Sequence, residues 1–358
     1  MGEFLIYRGT GVADRDDDRI LRRAEPPPWR VFDGEPLTPL DRDAPVGRKL
    51  PYRTRTVPYQ ADEDTVRLVN VALHLRRPLL VTGHPGTGKS TLAYAVAHEL
   101  RLGPVLRWSI TSRSTLTSGL YQYDAVGRIE EANARQAGLS TSGTAPAIPE
   151  PDAASGSGSE PGRWGPVDIG RFLRLGPLGT ALAPYASPRV LLVDEIDKSD
   201  IDLPNELLDV FEEGEYAIPE LQRIADLVPQ VRVRPADNGG PVTVNDGRVR
   251  CHEFPFIVLT SNGEREFPPA FLRRCVQLDL AQPDERRIAA IVRAHLGDAA
   301  LAEAADLVED FLARREQGQL ATDQLLNAVY LLHRASGDGR PDRDELVDVV
   351  LRELSGPG

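Results

Sequence analysis

The sequence has 358 residues, a formal net charge of −12, 41% hydrophobic residues and 27% charged residues. This composition is typical of a soluble globular protein with two or three domains. The acidic balance argues against a general nucleic-acid binder, which usually presents a basic face. The apolar runs are too short to span a bilayer, no secretory signal is visible, and the two cysteines offer neither a disulfide framework nor a metal cluster. We therefore expect a cytoplasmic protein with no membrane partner.

Residues 1–57 are rich in proline, arginine and aspartate and show little hydrophobic periodicity. This pattern predicts an extended N-terminal arm rather than a folded domain. One interpretation is a surface segment with little order of its own. The alternative is docking on the core of the same chain, with Trp29 and Phe32 as the anchoring side chains.

A helical pattern begins at Asp62, with an acidic start and a basic end as the helix dipole favours. Apolar strands and helices then alternate along the chain. The predicted strands are 78–83, 105–110, 189–195, 256–262 and 276–280, and the clearest predicted helices are 90–100 and 203–214. Continuous apolar strands between helices indicate a buried parallel sheet and an α/β fold.

Two segments interrupt this alternation. Residues 138–166 are a low-complexity run of serine, glycine, proline and alanine, for which we predict a flexible loop. Residues 231–251 contain asparagine and glycine turn signals and predict a short hairpin region. From residue 283 onward the pattern is helical.

The stretch GHPGTGKS at 83–90 fits the phosphate-loop pattern G-x-x-x-x-G-K-[ST], and a predicted strand and helix flank it as the loop requires. Glycines let backbone N–H groups face phosphate oxygens, the lysine supplies charge to the β and γ phosphates, and the serine coordinates Mg²⁺. The predicted ATP-binding residues are Gly83, His84, Pro85, Gly86, Thr87, Gly88, Lys89, Ser90 and Thr91. Lysines occur only at positions 49, 89 and 198, so this lysine stands out against an arginine-rich background.

A second motif, the acidic pair Asp194 and Glu195, lies at the end of the predicted strand at 189–195. Asp194 is expected to hold Mg²⁺ through water, and Glu195 to polarise the water that attacks the γ-phosphate. An Asp-Glu pair favours hydrolysis over switch-type or kinase chemistry. The alternative is an acidic pair that only caps the next helix.

Polar residues also follow the apolar strand at 256–262. Asn262 is a candidate for orienting the attacking water beside Glu195, although an asparagine at a strand end is often only a turn residue. Arg273 and Arg274 follow in PPAFLRRC. Such a pair is often a solvated face, but here it is also a candidate arginine finger that reaches the γ-phosphate of a neighbouring subunit.

Together these motifs resemble an AAA+ ATPase, and more narrowly the MoxR-type group of the dynein-related AAA subfamily. The stretches that carry the resemblance are RRPLLVTGHPGTGKSTLAYAVAHEL, GPLGTALAPYASPRVLLVDEIDKSDIDLPNELLDVFEEGEYAIPE and FIVLTSNGEREFPPAFLRRC. The resemblance implies a P-loop NTPase αβα sandwich with a five-stranded parallel sheet over 58–283 and a C-terminal α-helical lid over 284–358. It also implies ATP and Mg²⁺ at the interfaces of a homo-oligomeric ring, usually a hexamer.

The resemblance also assigns roles residue by residue. Lys89 and Ser90 correspond to the Walker A residues, Asp194 and Glu195 to the Walker B pair, Asn262 to sensor 1, and Arg274, in preference to Arg273, to the arginine finger. The insertions at 138–166 and 231–251 are expected either to face the pore of the ring and touch the substrate or to decorate its surface.

The chain departs from the family pattern in the predicted lid. Gln324 stands where the family often carries a sensor 2 arginine, and a neutral amide cannot replace that charge. Either another arginine, such as Arg314, Arg315 or Arg334, takes the role, or hydrolysis is slow and conditional.

The resemblance favours a chaperone-like factor that hydrolyses ATP to remodel a protein client. A protein carrying a von Willebrand factor A domain is the expected partner. Two alternatives stay open. One is a nucleic-acid translocase of the restriction type, which the acidic charge disfavours. The other is a signalling ATPase with low turnover, which Gln324 keeps open.

Overall fold

The computed structural model describes residues 4–13, 20, 25–46, 61–136, 169–315 and 322–334 of the protein. In chain order, the strands are β1 (Leu79–Thr82), β2 (Leu106–Ser109), β3 (Tyr121–Tyr123), β4 (Leu173–Leu175), β5 (Val190–Asp194), β6 (Glu215–Ala217), β7 (Gln230–Val233), β8 (Val242–Asn245), β9 (Arg248–Arg250), β10 (Phe256–Ser261) and β11 (Val276–Asp279). The α-helices are α1 (Glu63–Leu75), α2 (Lys89–Glu99), α3 (Leu116–Leu120), α4 (Ala125–Gln136), α5 (Pro177–Ala181), α6 (Leu203–Glu213), α7 (Pro219–Gln222), α8 (Pro269–Arg274), α9 (Glu285–Leu296), α10 (Asp298–Glu303), α11 (Ala305–Arg315) and α12 (Thr322–Arg334).

Five strands form the central sheet in the order β11-β1-β10-β5-β2, and every neighbouring pair is parallel. Each of these strands lies within one of the five predicted strand segments. The predicted α/β fold with a five-stranded parallel sheet is therefore confirmed. Because all five strands run the same way, their carboxyl ends meet at one edge of the sheet, where proteins of this class place their ligands.

The three central strands β1, β10 and β5 are covered on both faces, which explains their long apolar runs. Leu79 of β1 belongs to a core cluster with Leu92 of α2 on one face. The next residue, Leu80, belongs to the cluster on the opposite face, together with Leu207 of α6. Successive side chains of a strand point to opposite faces, so β1 contributes to both clusters and the layers are αβα.

Two small β units lie outside the central sheet. β3 and β4 pair antiparallel, and the predicted flexible loop at 138–166 falls within 137–168, outside the described residues. β6, β9, β8 and β7 form a four-stranded antiparallel sheet in that order, so the predicted hairpin region contributes three strands of a larger sheet. The turn between β8 and β9 uses Asp246 and Gly247, both with positive φ, as tight hairpins require.

The N-terminal segment packs against the core over its described residues. Tyr7 is fully buried. The side chain of Asn70 on α1 accepts hydrogen bonds from the N–H groups of Ile6 and Tyr7 and donates to the Tyr7 carbonyl. Glu99 at the end of α2 accepts from three N–H groups of the 8–11 segment. Of the two interpretations of this arm, the described residues therefore fit the one in which the arm docks on the core of the same chain.

Arg30 anchors the next part of the segment, and Trp29 does not. Arg30 is 4% exposed, and its guanidinium lies 4.5 Å from the centroid of the Phe254 ring and donates to the Arg76 carbonyl at 3.1 Å. Phe32 stacks on Phe254 with the ring centroids 5.5 Å apart. Trp29 is 74% exposed. The prediction that Phe32 docks is confirmed, whereas the prediction that Trp29 anchors the arm is wrong, because a cation fills the buried position beside it.

The C-terminal helices α9–α12 have an apolar core of their own. Ile288, Val292, Phe311, Leu325 and Val329 are buried together there. Residues 335–358, for which the sequence also predicts helical structure, lie outside the described residues. None of the helices in the described ranges has both the length and the apolarity needed to cross a membrane.

We expect Arg30→Ala to lower the free energy of unfolding by about 2–4 kcal/mol, because it removes a buried cation from its aromatic and carbonyl partners. Chemical denaturation followed by circular dichroism measures this change. Trp29→Ala, at the neighbouring exposed position, is the matched control and should change the free energy of unfolding by less than about 0.5 kcal/mol. Equal losses in the two variants would contradict the assignment of Arg30 as the anchor.

Candidate nucleotide-binding and hydrolysis site

The predicted phosphate loop lies at the carboxyl edge of the sheet, between β1 and α2. Gly83 leaves β1 with φ 142°, and a Cβ there would lie 2.6 Å from the carbonyl oxygen of Leu280, so glycine is required. Gly88 precedes α2 with φ 91°. The helix therefore begins at Lys89, and its unpaired N-terminal N–H groups lie at the loop, an arrangement that binds phosphate.

Lys89 is buried at the loop although it carries a charge. The residue is 7% exposed, and its Nζ donates to the carbonyl oxygens of Gly83 at 2.7 Å and His84 at 2.9 Å. Burial lowers the pKa of Lys89, and the negative charge of Asp197, with two further carboxylates, opposes this shift. A cation held by backbone carbonyls among acids is well placed to meet the oxygens of a bound polyphosphate.

The other predicted loop residues differ in exposure. His84, Pro85 and Gly86 are exposed, whereas Thr87 is half-buried and donates to the His84 carbonyl at 2.9 Å. Thr91 is exposed in the first turn of α2. The loop is thus accessible to solvent on one side and packed against the sheet on the other.

Asp194, the last residue of β5, joins the loop to the sheet. Its Oδ1 accepts hydrogen bonds from the Ser90 hydroxyl at 2.7 Å and from the Thr260 hydroxyl at 2.9 Å. The two predicted magnesium residues are 104 positions apart in the sequence and are in contact in the structure. Thr260 was not predicted, and the available signal for it was a polar residue after the four apolar residues that begin β10.

Arg107 on β2 is a cation that the sequence analysis did not single out. It donates to Asp194 Oδ2 from Nη2 at 2.7 Å and from Nε at 3.2 Å. Burial acts to raise the pKa of Asp194, but the hydrogen bonds from Ser90, Thr260 and Arg107 outweigh it and hold that pKa below its usual value. Asp194 therefore stays ionised. A charged residue in the apolar stretch VLRWSI was the available signal.

The donor set of this edge fits the predicted magnesium ion. Ser90 supplies a hydroxyl oxygen and Asp194 an ionised carboxylate, and Mg²⁺ prefers such oxygen ligands. This ion commonly takes one or two protein ligands and completes its shell with phosphate oxygens and water. Within the described ranges, no cluster of three or more histidine, cysteine, aspartate or glutamate side chains could hold a metal by itself.

Glu195 follows β5 in a backbone conformation that disfavours non-glycine residues. Its φ of 62° and ψ of 51° are left-handed, which costs about 1–3 kcal/mol. The Thr260 hydroxyl accepts a hydrogen bond from the Glu195 N–H at 2.9 Å and supports this turn. The half-exposed carboxylate lies 3.0 Å from Nζ of Lys198, and this hydrogen bond raises the pKa of Lys198. Lys198 was noted only as one of three lysines, and no role was predicted for it.

Asn262 follows β10, which neighbours β5 in the sheet. Its backbone N–H donates to Oδ2 of Asp197 at 2.8 Å. Its side chain is half-buried, and among the described residues no hydrogen bond engages its amide group. The structure therefore places Asn262 at the same edge as Glu195, with an amide available to a water or phosphate oxygen.

Arg273 and Arg274 lie in the last turn of α8. Nε of Arg274 lies 2.8 Å from Oε1 of Glu212 on α6. Arg273 is exposed, and its carbonyl oxygen accepts a hydrogen bond from Arg77. In the contacts that the structure describes, neither arginine touches the phosphate loop or Asp194 of its own chain.

Residues 79–140 match the family model described as ATPase family associated with various cellular activities (AAA). The matched segment begins at β1 and contains the whole phosphate loop and α2. This segment is therefore similar to AAA-type ATPase domains. It includes Lys89 and Ser90 at the start of α2.

Among solved structures, the chain is similar to the crystal structure of NtrX from Brucella abortus in complex with ADP, with 16% sequence identity and a TM-score of 0.37. The alignment covers 81% of this chain and 52% of that chain, so the protein spans about half the length of that chain. No curated protein matches the sequence.

We expect Lys89→Ala to weaken the binding of a fluorescent ATP analogue by at least about 10-fold, because a hydrogen bond to a charged group contributes roughly 1.5–3 kcal/mol. Fluorescence titration of the folded variant measures the dissociation constant. Arg67→Ala removes a cation that is 65% exposed on α1 and should leave the affinity unchanged. Unaltered binding by Lys89→Ala would contradict the loop assignment.

Proposed function

We propose that the protein binds ATP at the 83–91 loop and hydrolyses it. The observation that carries this proposal is the contact between Ser90 and Asp194 with Glu195 next in the chain. It brings a phosphate loop, a pair of candidate magnesium ligands and a candidate general base to one edge of the sheet. An acidic pair that only capped the next helix would have no reason to bond to the loop, and Glu195 makes no capping hydrogen bond to the Ile196–Lys198 3₁₀ helix.

In this proposal each residue has a separate task. Lys89 and the N-terminus of α2 offset the negative charge of the β and γ phosphates. A magnesium ion held through Ser90 and Asp194 would stabilise the charge of the transferring phosphoryl group. Glu195 accepts a proton from the attacking water after its carboxylate turns away from Lys198, and the Asn262 amide orients that water.

We further propose that the protein acts as a homo-oligomeric ring, most simply a hexamer, that remodels a protein client in the cytoplasm. The resemblance to MoxR-type proteins supports this finer assignment, and so does the position of Arg274. Arg274 is partly exposed on α8 and makes no described contact with the loop of its own chain. A protein with a von Willebrand factor A domain is the partner that we propose from the resemblance alone.

A nucleic-acid translocase is the alternative from another class. A cleft of about 500 Å³ beside the β3–β4 pair is lined by Arg171, Arg174 and Arg234. However, Arg174 donates to two backbone carbonyls of the 235–236 segment, and Arg171 pairs with Glu131 at 3.2 Å. Arginines already engaged by the protein give little support to phosphate-backbone binding, and the net charge of −12 argues in the same direction.

A signalling ATPase with low turnover is the second alternative. Gln324, at the position of the family's sensor 2 arginine, is buried in α12. The side chains of Arg314, Arg315 and Arg334, which we considered as replacements, lie outside the described part of the structure. A low basal rate that no protein partner raises would favour this alternative over remodelling.

Glu195→Gln should retain ATP binding and lower the rate of phosphate release by about 100-fold or more, because an amide cannot take the proton of the attacking water. Glu206→Gln, at an exposed acid in the first turn of α6, is the matched control and should keep the parental rate. Undiminished turnover in Glu195→Gln would remove it as the base. Turnover that rises with added DNA would favour the translocase.

Size-exclusion chromatography with light scattering on Glu195→Gln tests the ring. With ATP and Mg²⁺, the mass should rise from 39.2 kDa toward roughly six times that value, as closed cyclic assembly predicts. A protein that binds ATP but stays monomeric would leave the loop assignment intact and contradict the ring.

Arg274→Ala and Lys89→Ala should each be inactive alone and regain part of the parental ATPase rate when mixed. In mixed rings, a Lys89→Ala subunit still offers Arg274 to a neighbour whose own loop is intact. Steady-state phosphate release measures the rescue, and a mixture of Lys89→Ala with Glu195→Gln, which lacks an intact loop and base in any one subunit, is the control. Rings without rescue would argue against Arg274 as a finger that acts between subunits.

A further inference from the structure

Asp197 is a buried carboxylate that the assigned roles leave unused. It is the middle residue of the Ile196–Lys198 3₁₀ helix, two positions after Glu195, and it is 3% exposed. Aspartate is rarely this buried unless its charge is paired. The groups that contact Asp197 should therefore explain why a carboxylate is present at this position.

One oxygen of Asp197 organises the loop that carries Asn262. Oδ2 accepts hydrogen bonds from the N–H groups of Asn262 at 2.8 Å and Glu264 at 3.2 Å. Gly263 between them has φ 80°, which turns the two N–H groups toward a common acceptor. The Ser261 hydroxyl accepts from the Gly263 N–H at 3.0 Å. The backbone from residue 262 to 264 is thus wrapped around a single carboxylate oxygen.

The other oxygen of Asp197 is buried and has no hydrogen-bond partner among the described residues. An unpartnered buried carboxylate oxygen is destabilising unless a charge compensates it. Burial lowers the pKa of Lys89, and Asp197 is the first of three acids whose negative charge opposes this shift. The carboxylate that holds the Asn262 loop therefore also acts electrostatically on the lysine of the phosphate loop.

We infer that Asp197 is a positioning residue for ATP hydrolysis, which sets the Asn262 amide against the water and γ-phosphate by holding the backbone of the 262–264 loop. This inference rests on the proposed function of the same site. Asp197 itself touches neither water nor phosphate in this role and acts through Asn262. Because a displacement of about 1 Å can cost up to about 100-fold in rate, a loosened loop should lower kcat more than it raises KM.

The test compares Asp197→Ala, Asp197→Asn and the control Asp202→Ala, whose aspartate is exposed and makes no capping hydrogen bond to α6. Asparagine keeps an acceptor oxygen for the N–H groups of Asn262 and Glu264 but removes the negative charge of the side chain. We expect Asp197→Ala to lower kcat for ATP by about 10-fold or more, with KM changed by less than about 3-fold. Asp197→Asn should recover most of kcat, and Asp202→Ala should match the parent.

Amide hydrogen exchange provides a readout that does not require hydrolysis. A peptide spanning 262–264 should exchange faster in Asp197→Ala than in the parent or in Asp202→Ala, whereas a peptide from the β5 core should be unchanged and report an intact fold. If Asp197→Ala does not fold, the comparison of Asp197→Asn with the parent carries the test through the same two measurements.

The outcomes separate the two proposals. A parent that binds ATP without turnover refutes the proposed function. A parent that hydrolyses ATP while Asp197→Ala keeps the parental kcat refutes the positioning role alone. If Asp197→Asn is as slow as Asp197→Ala, the negative charge of Asp197 is what matters and the positioning role is overturned. Recovery in Asp197→Asn, together with faster exchange at 262–264 in Asp197→Ala, supports it.

Discussion

The packing of the phosphate loop against the central sheet depends on one buried carboxylate, Asp194, at the carboxyl end of β5. Its two oxygens collect hydrogen bonds from Ser90 on α2, Thr260 on β10 and Arg107 on β2. Three elements that approach the sheet edge from different directions are therefore held to one group. Because the carboxylate is buried and ionised, losing one of these partners would leave its charge less fully compensated. The geometry of the phosphate loop is thus coupled to the packing of the sheet.

The same edge concentrates features that are individually unfavourable. Lys89 is buried with its charge, Glu195 adopts a left-handed backbone, and Asp197 keeps an oxygen without a hydrogen-bond partner among the described residues. Each is compensated by neighbours: carbonyl oxygens for Lys89, the Thr260 hydroxyl for Glu195, and the two N–H groups bound to the other oxygen for Asp197. Costs of this kind cluster at functional sites, where surrounding structure maintains them. Because these three features occur together at the phosphate loop, they support the proposal that this edge of the sheet is the active site.

The docked N-terminal segment contacts the C-terminal end of α6. Arg30 donates to the Phe211 carbonyl at 2.7 Å and pairs with Glu212 at 3.5 Å. The other oxygen of Glu212 lies 2.8 Å from Nε of Arg274. The segment is therefore connected through a shared acid to the arginine on which the ring proposal relies.

The sequence alone determined the elements whose signals are local. Predominantly apolar segments predicted the five parallel strands, and the spacing of glycines before Lys89 and Ser90 predicted the loop. Only the tertiary structure identified Arg107, Thr260 and Asp197 as parts of the site. Their partners lie 87, 66 and 65 positions away, and no short-range pattern encodes such contacts. The choice between Trp29 and Arg30 as the anchor was likewise decided by two phenylalanine rings and a carbonyl, which come together only when the sheet has formed.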